Sequence, residues 1–419
     1  MERLLQYIWK YRLFSAADLK TSEGNLVTVI DPGIQNTDAG PDFFNAKVKI
    51  ADTVWVGNVE IHRKASDWKN HHHDKDPVYD SVILHVVEEA NAIVYRANGA
   101  VIPQAVIQIP IAIKRNMDWL LLRDTSLPCA ERIREVESIQ LSTWMNYLLT
   151  DRLERKVEDI FRLLEQYKDD WNEVFYILLT RNFGFGNNSD AFEYLAKSLP
   201  FKYIRKQSSN GLQIEALLFG QAGLLSEPLD DAYYQLLQQE YRFLQQKFSL
   251  AQVDYCMIKK LRIRPISFPH LRIAQLAAIW TKHDTLFSRI LEDNQYVTLR
   301  NCFDVSLPEY WDTHYHFKAL SPKKRKTIGT STIHLIMINT IVPMLFAYGR
   351  KKNIPDFCTK AIQILETIPP ERNNLIANFI NAGITVKNAC DTQAFIQLRR
   401  EYCEKKKCLY CRIGFSLIK

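Results

Sequence analysis

The sequence predicts an α+β protein, with a strand-rich N-terminal domain over residues 1–125, a large all-α domain over 126–385 and a cysteine-bearing tail over 386–419. Three observations carry this reading. Alternating and apolar runs separated by turn residues fill the first 110 positions. From residue 137 onward the apolar period is about 3.6 almost throughout. Four of the eight cysteines fall within the last thirty residues.

The first element is a short amphipathic helix over 2–14, with Leu4, Leu5, Ile8 and Trp9 on one face. Strands are expected over 26–30, 43–50, 53–63, 81–87, 92–95 and 101–109. The breakers Asp31-Pro32-Gly33, Gly40-Pro41, Gly57-Asn58 and Asn98-Gly99 punctuate them. Between the third and fourth runs, Ser66-Asp67-Trp68-Lys69-Asn70-His71 reads as a short helix capped by Ser66. The order is helix, three strands, helix, strand. Helices then follow at 137–164, 170–183, 189–198, 212–224, 230–247, 270–281, 284–292, 331–348, 354–367, 371–383 and 391–403. No fixed repeat length links them.

A chain of 419 residues, 47% hydrophobic and 24% charged, can bury substantial cores. Fourteen glycines and sixteen prolines leave no low-complexity tract, which argues against disorder. The net charge of +7 suits a polyanionic partner. The opening MERLLQYIWKYRLF lacks the apolar core of a secretory signal, and the apolar stretch 333–348 contains His334 and Asn339 and falls short of the roughly 20 residues of a spanning helix. The expectation is a cytoplasmic protein with no membrane partner.

Chemistry is expected at Asp42, Glu60 and His62. Gly40-Pro41-Asp42-Phe43 opens one strand and Val59-Glu60-Ile61-His62 lies on the next, so the two carboxylates can approach across neighbouring strands. Side chains alternate along a strand, which puts Glu60 and His62 on one face. Hard oxygen donors of this kind hold Mg²⁺ or Mn²⁺ beside a scissile phosphate, where the ion polarises the phosphoryl oxygen and acidifies a bound water. Histidine at position 62 can serve as base or ligand, and Lys64, two residues further on the same face, is a candidate to orient water.

Downstream lie Asp67, His71, His72, His73, Asp74, Asp76, Asp80 and His85. The run His71–His73 is expected to be solvated, whereas His85 interrupts the apolar strand Val82-Ile83-Leu84-His85-Val86-Val87. A buried imidazole needs a partner. His85 is either a satisfied core histidine or a metal ligand facing Glu60 and His62, in which case Mn²⁺ or Zn²⁺ also fits. A hydrolase site built on His62, His72 and His85 is a further alternative.

Cys390, Cys403, Cys408 and Cys411 form a second metal-ligand pattern, with Cys408 and Cys411 as a CxxC knuckle. Zn²⁺ is the first expectation and a [4Fe–4S] cluster the second. For nucleic-acid contact the candidates are Arg262, Arg264 and Arg272 around two prolines, together with Lys323 and Lys324 ahead of a helix N-terminus. The alternative is that the arginines brace helix packing and the lysines are solvated.

Together, Gly40-Pro41-Asp42-Phe43, Gly57-Asn58-Val59-Glu60-Ile61-His62, Asp67-Trp68, Tyr79-Asp80 and Ile83-Leu84-His85-Val86-Val87 resemble the N-terminal signature of a bacterial domain-of-unknown-function family. Arg264-Pro265, Phe268-Pro269 and the closing Cys403, Cys408 and Cys411 are similar to its later blocks, so the resemblance runs nearly the full chain. It implies no activity. Residues 1–110 more loosely resemble the PD-(D/E)XK nuclease superfamily, which implies a restriction-endonuclease-like sheet and a divalent-metal-dependent nuclease acting on DNA or RNA. His62 stands where that pattern has Lys. The competing reading is a non-catalytic nucleic-acid-binding or scaffold protein that keeps the fold.

Overall fold

The computed structural model describes residues 2–15, 19–36, 38–123, 125–251, 258–260 and 263–419. The chain divides into two compact units. One comprises Met1–Trp144, Ala377–Ile384 and Leu398–Lys419; the other comprises Met145–Ile376 and Thr385–Gln397.

A mixed seven-stranded sheet organises the first unit. Its strands are β1 (Lys20–Thr21), β2 (Val27–Asp31), β3 (Ile34–Gln35), β4 (Phe43–Ile50), β5 (Thr53–Lys64), β6 (Val82–Glu89) and β7 (Gln104–Val106). They run in the order β1-β7-β6-β5-β4-β2, with β3 also on β4. Strands β2, β4 and β5 are antiparallel neighbours, whereas β6 runs parallel to β5 and β7 parallel to β6. The parallel step needs a crossover. It is supplied by residues 65–81, which hold helix α2 (Asp67–Asn70) and the 3₁₀ turn Pro77–Ser81.

The predicted strands over 43–50 and 53–63 are present almost to the residue. Three expectations are corrected. Gly57-Asn58 is no turn but the middle of β5, where the pairing slips on both sides: Phe43 pairs with Val59 and Ala46 with Gly57, while Asn58 pairs with Val82 and Val59 with Leu84. Gly57 is required because Ile83, the residue bulged out of β6, packs against it; a Cβ there would sit 2.4 Å from Ile83 Cγ2. The segment 92–95 forms only an isolated bridge, Tyr95 to Val101. Ser66 does not cap α2 with its hydroxyl; its amide donates to Asn91 Oδ1 and its Oγ accepts from Asn91 Nδ2.

Helix α1 (Glu2–Tyr11) buries Leu4, Leu5, Ile8 and Trp9 against the sheet side of the unit and ends at Arg12, which turns left-handed (φ 52°). Trp68, Tyr79, Val82, Val87, Val94 and Ile102 form a core cluster under the crossover. Each fully buried large apolar side chain of this kind contributes about 1.5–3 kcal/mol.

The second unit is helical, and its expected helices are found, among them Trp171–Phe183, Ser189–Ser198, Gly211–Gln221, Ala232–Phe248 and Pro269–Lys282. Helix Gly211–Gln221 is buried without a break from Ile214 to Gln221, packed between Ala232–Phe248 and Pro269–Lys282. The all-α expectation is modified by a small hairpin, His314–His316 with Ala319–Leu320. Residues Thr330–Lys352 are long and apolar enough to cross a membrane, and 67% of the apolar window is buried inside the structure. Pro343 cannot donate within that helix, and a π-turn at Met337–Ile341 precedes it. The Asn339 carbonyl left over accepts from Asn182 Nδ2 at 3.1 Å.

Candidate metal centre

Strand register assembles the centre. Phe43 pairs with Val59, so Asp42 stands opposite Glu60; Glu60 pairs with His85 across the parallel step. Asp42, Glu60, His62 and His85 therefore share one face, as the alternation of side chains requires. The two slips flanking Val59 set this alignment, and bulges of this kind re-aim side chains beside functional sites.

The carboxylates interlock through the backbone. The Asp42 amide donates to Glu60 Oε2 at 2.9 Å, and the Ile61 amide donates to Asp42 Oδ2 at 3.1 Å. Gln6, on α1, donates to Asp42 Oδ1 at 2.7 Å. Glu60 is 5% exposed, so its charge is held away from water. Its Oε1 lies 3.5 Å from His62 Nε2 and 3.4 Å from His73 Nε2.

Three imidazoles converge on the same point. His62 Nε2 is 3.1 Å from His71 Nδ1, and His62, His71 and His73 each offer one ring nitrogen within 4.8 Å of the others. His71 and His73 come together because His72 between them is left-handed (φ 64°) and turns its own side chain to solvent. The site therefore excludes His72 and includes His73, which is buried against expectation, and His71, which is exposed as expected. Behind it, His62 Nδ1 contacts His85 Nε2 at 2.9 Å. His85 is completely buried, and its Nδ1 has no hydrogen-bond partner among the described residues. Trp68 and Tyr79 wall the cluster, with the Tyr79 ring stacked on His73 at 3.7 Å.

Burial governs the electrostatics. It pushes His62 down to about 3, with His73 and His71 adding to the effect. It lowers His85 as well, followed by the influence of His62 and His73. Asp42 is pushed up to about 7 by burial first and the Glu60 charge second, against the Gln6 and Ile61 donors. Burial, then Glu60, pushes Tyr79 up to about 12. Imidazoles kept neutral expose lone pairs beside buried carboxylates, and the charge that would relieve both is a cation.

Three ring nitrogens, with Glu60 Oε1 near two of them, are donors of the kind that suit a transition ion such as Mn²⁺ or Zn²⁺ better than Mg²⁺, which prefers all-oxygen, largely hydrated coordination. Lys64 is turned away: its ammonium is 3.6 Å from Glu89 and half exposed. His71, His73 and Gln6 were missed from sequence. The signal available was the His-His-His run itself, but its local conformation decides which two of the three meet His62.

The basic candidates separate. Arg262 lies outside the described residues. Arg264 is exposed at the start of the 3₁₀ turn Pro265–Ser267. Arg272 is only 5% exposed; it donates to Gln275 Oε1 at 2.9 Å and lies 4.5 Å from the Phe185 ring centre, so it braces packing as the alternative reading had it, though through an amide and a ring. Burial lowers it to about 10. Lys323 and Lys324 are exposed, while Lys326 is buried and donates to the carbonyls of Trp311 and Asp312 at 2.6 and 2.8 Å.

The cysteine set also changes. Cys390 belongs to the helical unit, where its thiol contacts the Ile362 carbonyl at 3.7 Å. Cys403, Cys408 and Cys411 belong to the first unit, together with Cys129.

No curated protein and no solved structure matches the chain. Residues 2–374 match the sequence model of a family described as protein of unknown function, DUF2851, which leaves the C-terminal cysteines beyond the matched segment. With most of its length matched, from the N-terminal helix through the histidine cluster and most of the helical unit, the chain belongs to the DUF2851 family.

Proposed function

We propose that the chain is a metal-dependent hydrolase whose ion is held by Glu60, His62, His71 and His73, and that its substrate is a nucleic-acid phosphodiester. One observation carries the hydrolase reading: ring nitrogens of His62, His71 and His73 converge, Glu60 Oε1 lies within 3.5 Å of two of them, and the Asp42 amide ties that residue to the same carboxylate. An ion held there would polarise the phosphoryl oxygen and acidify a bound water. Within the chain, Glu60 and the histidines bind the ion, His85 orients His62, and Gln6 with the Ile61 amide orients Asp42. The nucleic-acid part is supported by Asp42 at the head of β4 beside Glu60 on antiparallel β5, by the looser resemblance of residues 1–110 to the PD-(D/E)XK superfamily, and by the net charge of +7.

The test is cleavage of plasmid and of single-stranded DNA and RNA by the full chain with Mn²⁺, Zn²⁺ or Mg²⁺, beside Glu60→Gln and His62→Ala. Cleavage supported best by Mn²⁺ or Zn²⁺ and lost in both variants is expected. Cleavage that persists in the variants, or no cleavage with any ion, overturns the reading.

A second reading rests on Lys64, whose amine pairs with Glu89 and not with the centre. In that reading the ion is structural and the chain binds nucleic acid without cutting it. Metal-replete protein that binds in a salt-sensitive way and leaves the strands intact would favour it.

A further inference from the structure

Residues 398–419 return to the N-terminal unit and carry three cysteines to a fourth that lies more than 270 positions earlier in the chain. Helix Arg412–Ile418 packs against helix Ile111–Leu121, the 3₁₀ turn Ile133–Glu135 and the turn Cys408–Tyr410. Cys129 sits just ahead of Ile133–Glu135, its carbonyl accepting from the Arg132 amide at 3.0 Å. Gly414 presses so closely on the knuckle that a Cβ would lie 2.1 Å from the Cys408 carbonyl oxygen. This packing gathers the four thiols. Cys129 interacts electrostatically with Cys403, Cys408 and Cys411, and those three with one another. Cys129 and Cys411 are each 8% exposed.

Two features point to a ligand. Cys411 stands at the N-terminus of helix Arg412–Ile418, where the Ile413 and Gly414 amides act against burial to favour its thiolate. Donors aimed at a sulfur stabilise a thiolate, and hydrogen bonds of this kind tune metal–thiolate centres. The spacing selects the ligand. Tetrahedral zinc with bonds of about 2.3 Å brings its sulfurs to roughly 3.8 Å from one another. Among the described residues, groups of three or more ligand atoms all within 4.8 Å are confined to the histidine centre, so no three of these thiols stand that close. A cubane cluster places one thiolate on each of four separate irons and keeps the sulfurs further apart.

We propose that Cys129, Cys403, Cys408 and Cys411 hold a [4Fe–4S] cluster that staples the C-terminal segment to the N-terminal unit. Cys390 takes no part. The inference is independent of the histidine centre and its function.

The test is the full chain purified without oxygen and assayed for iron, acid-labile sulfide and zinc, with the visible spectrum read before and after dithionite. About four irons and four sulfides per chain, with a brown colour that bleaches on reduction, are expected. Cys390→Ser should keep the iron, whereas Cys129→Ser and the more exposed Cys408→Ser should lose most of it. Zinc without sulfide, a metal-free chain, or iron lost in Cys390→Ser and kept in Cys129→Ser overturns the proposal.

Discussion

His85 offers the most incisive handle on the histidine centre, because it touches the proposed ligand set through one hydrogen bond. For His62 to ligate through Nε2, its Nδ1 must carry the proton and donate it to His85 Nε2, 2.9 Å away. His85→Leu keeps much of the volume of a fully buried side chain but removes that acceptor. The Nδ1–H would then be buried without a partner, a cost of about 1–3 kcal/mol that falls on the metal-competent tautomer. Removing such a supporting partner lowers metal affinity about 10–100-fold, or about 1.4–2.7 kcal/mol, in agreement with that cost. His85→Gln offers an amide oxygen in the same direction and should restore most of the affinity. The assay is chelator competition for Mn²⁺ and Zn²⁺, backed by thermal shift. An ion at one hundred times its Kd stabilises the wild-type fold by about 2.7 kcal/mol, and a tenfold loss of affinity reduces this to about 1.4 kcal/mol. Folded His85→Leu protein that binds either ion as tightly as wild type would refute the assigned roles of His62 and His85.

Two further predictions concern the helical unit. Glu215 accepts from Trp311 Nε1 at 2.7 Å and Tyr233 Oη at 3.0 Å, yet burial pushes it up from 4.5 to about 7. Between these values the unfolded chain has released a proton that the folded chain retains, so the contribution of Glu215 to stability is greatest below pH 4.5 and falls as pH rises through about 7. Glu215→Gln should flatten this slope in urea unfolding and add up to about 3 kcal/mol at alkaline pH; a slope unchanged from wild type would count against it. Lys326→Met should cost about 2–4 kcal/mol by orphaning the carbonyls of Trp311 and Asp312, whereas Lys323→Ala with Lys324→Ala should stay within about 0.5 kcal/mol. Equal unfolding midpoints for the two proteins would contradict the distinction drawn between buried and solvated lysines.

Much of the first unit was legible because strand alternation is a local property. The runs 43–50 and 53–63 showed their inner faces directly, and with them Asp42, Glu60 and His62 on one side of the sheet. His85 was marked by a polar residue inside an apolar strand. Other features depended on backbone conformations that residue type signals only weakly. The left-handed turn at His72 chooses His71 and His73 as the pair that meets His62, and the slips around Val59 bring Glu60 level with His85.

By itself, the sequence determined the strand-rich beginning, the helical remainder, the acidic pair and the presence of two sets of soft ligands, because periodicity and residue chemistry are read along the chain. Only the tertiary structure decided which members of each set meet. Cys390 is near the terminal cysteines in sequence but packs in the other unit, whereas Cys129 is remote in sequence and packs beside them. Lys64 lies on the strand of Glu60 yet its amine is paired with Glu89. In each case the partner is set by packing between segments far apart in the chain, which short-range spacing does not encode.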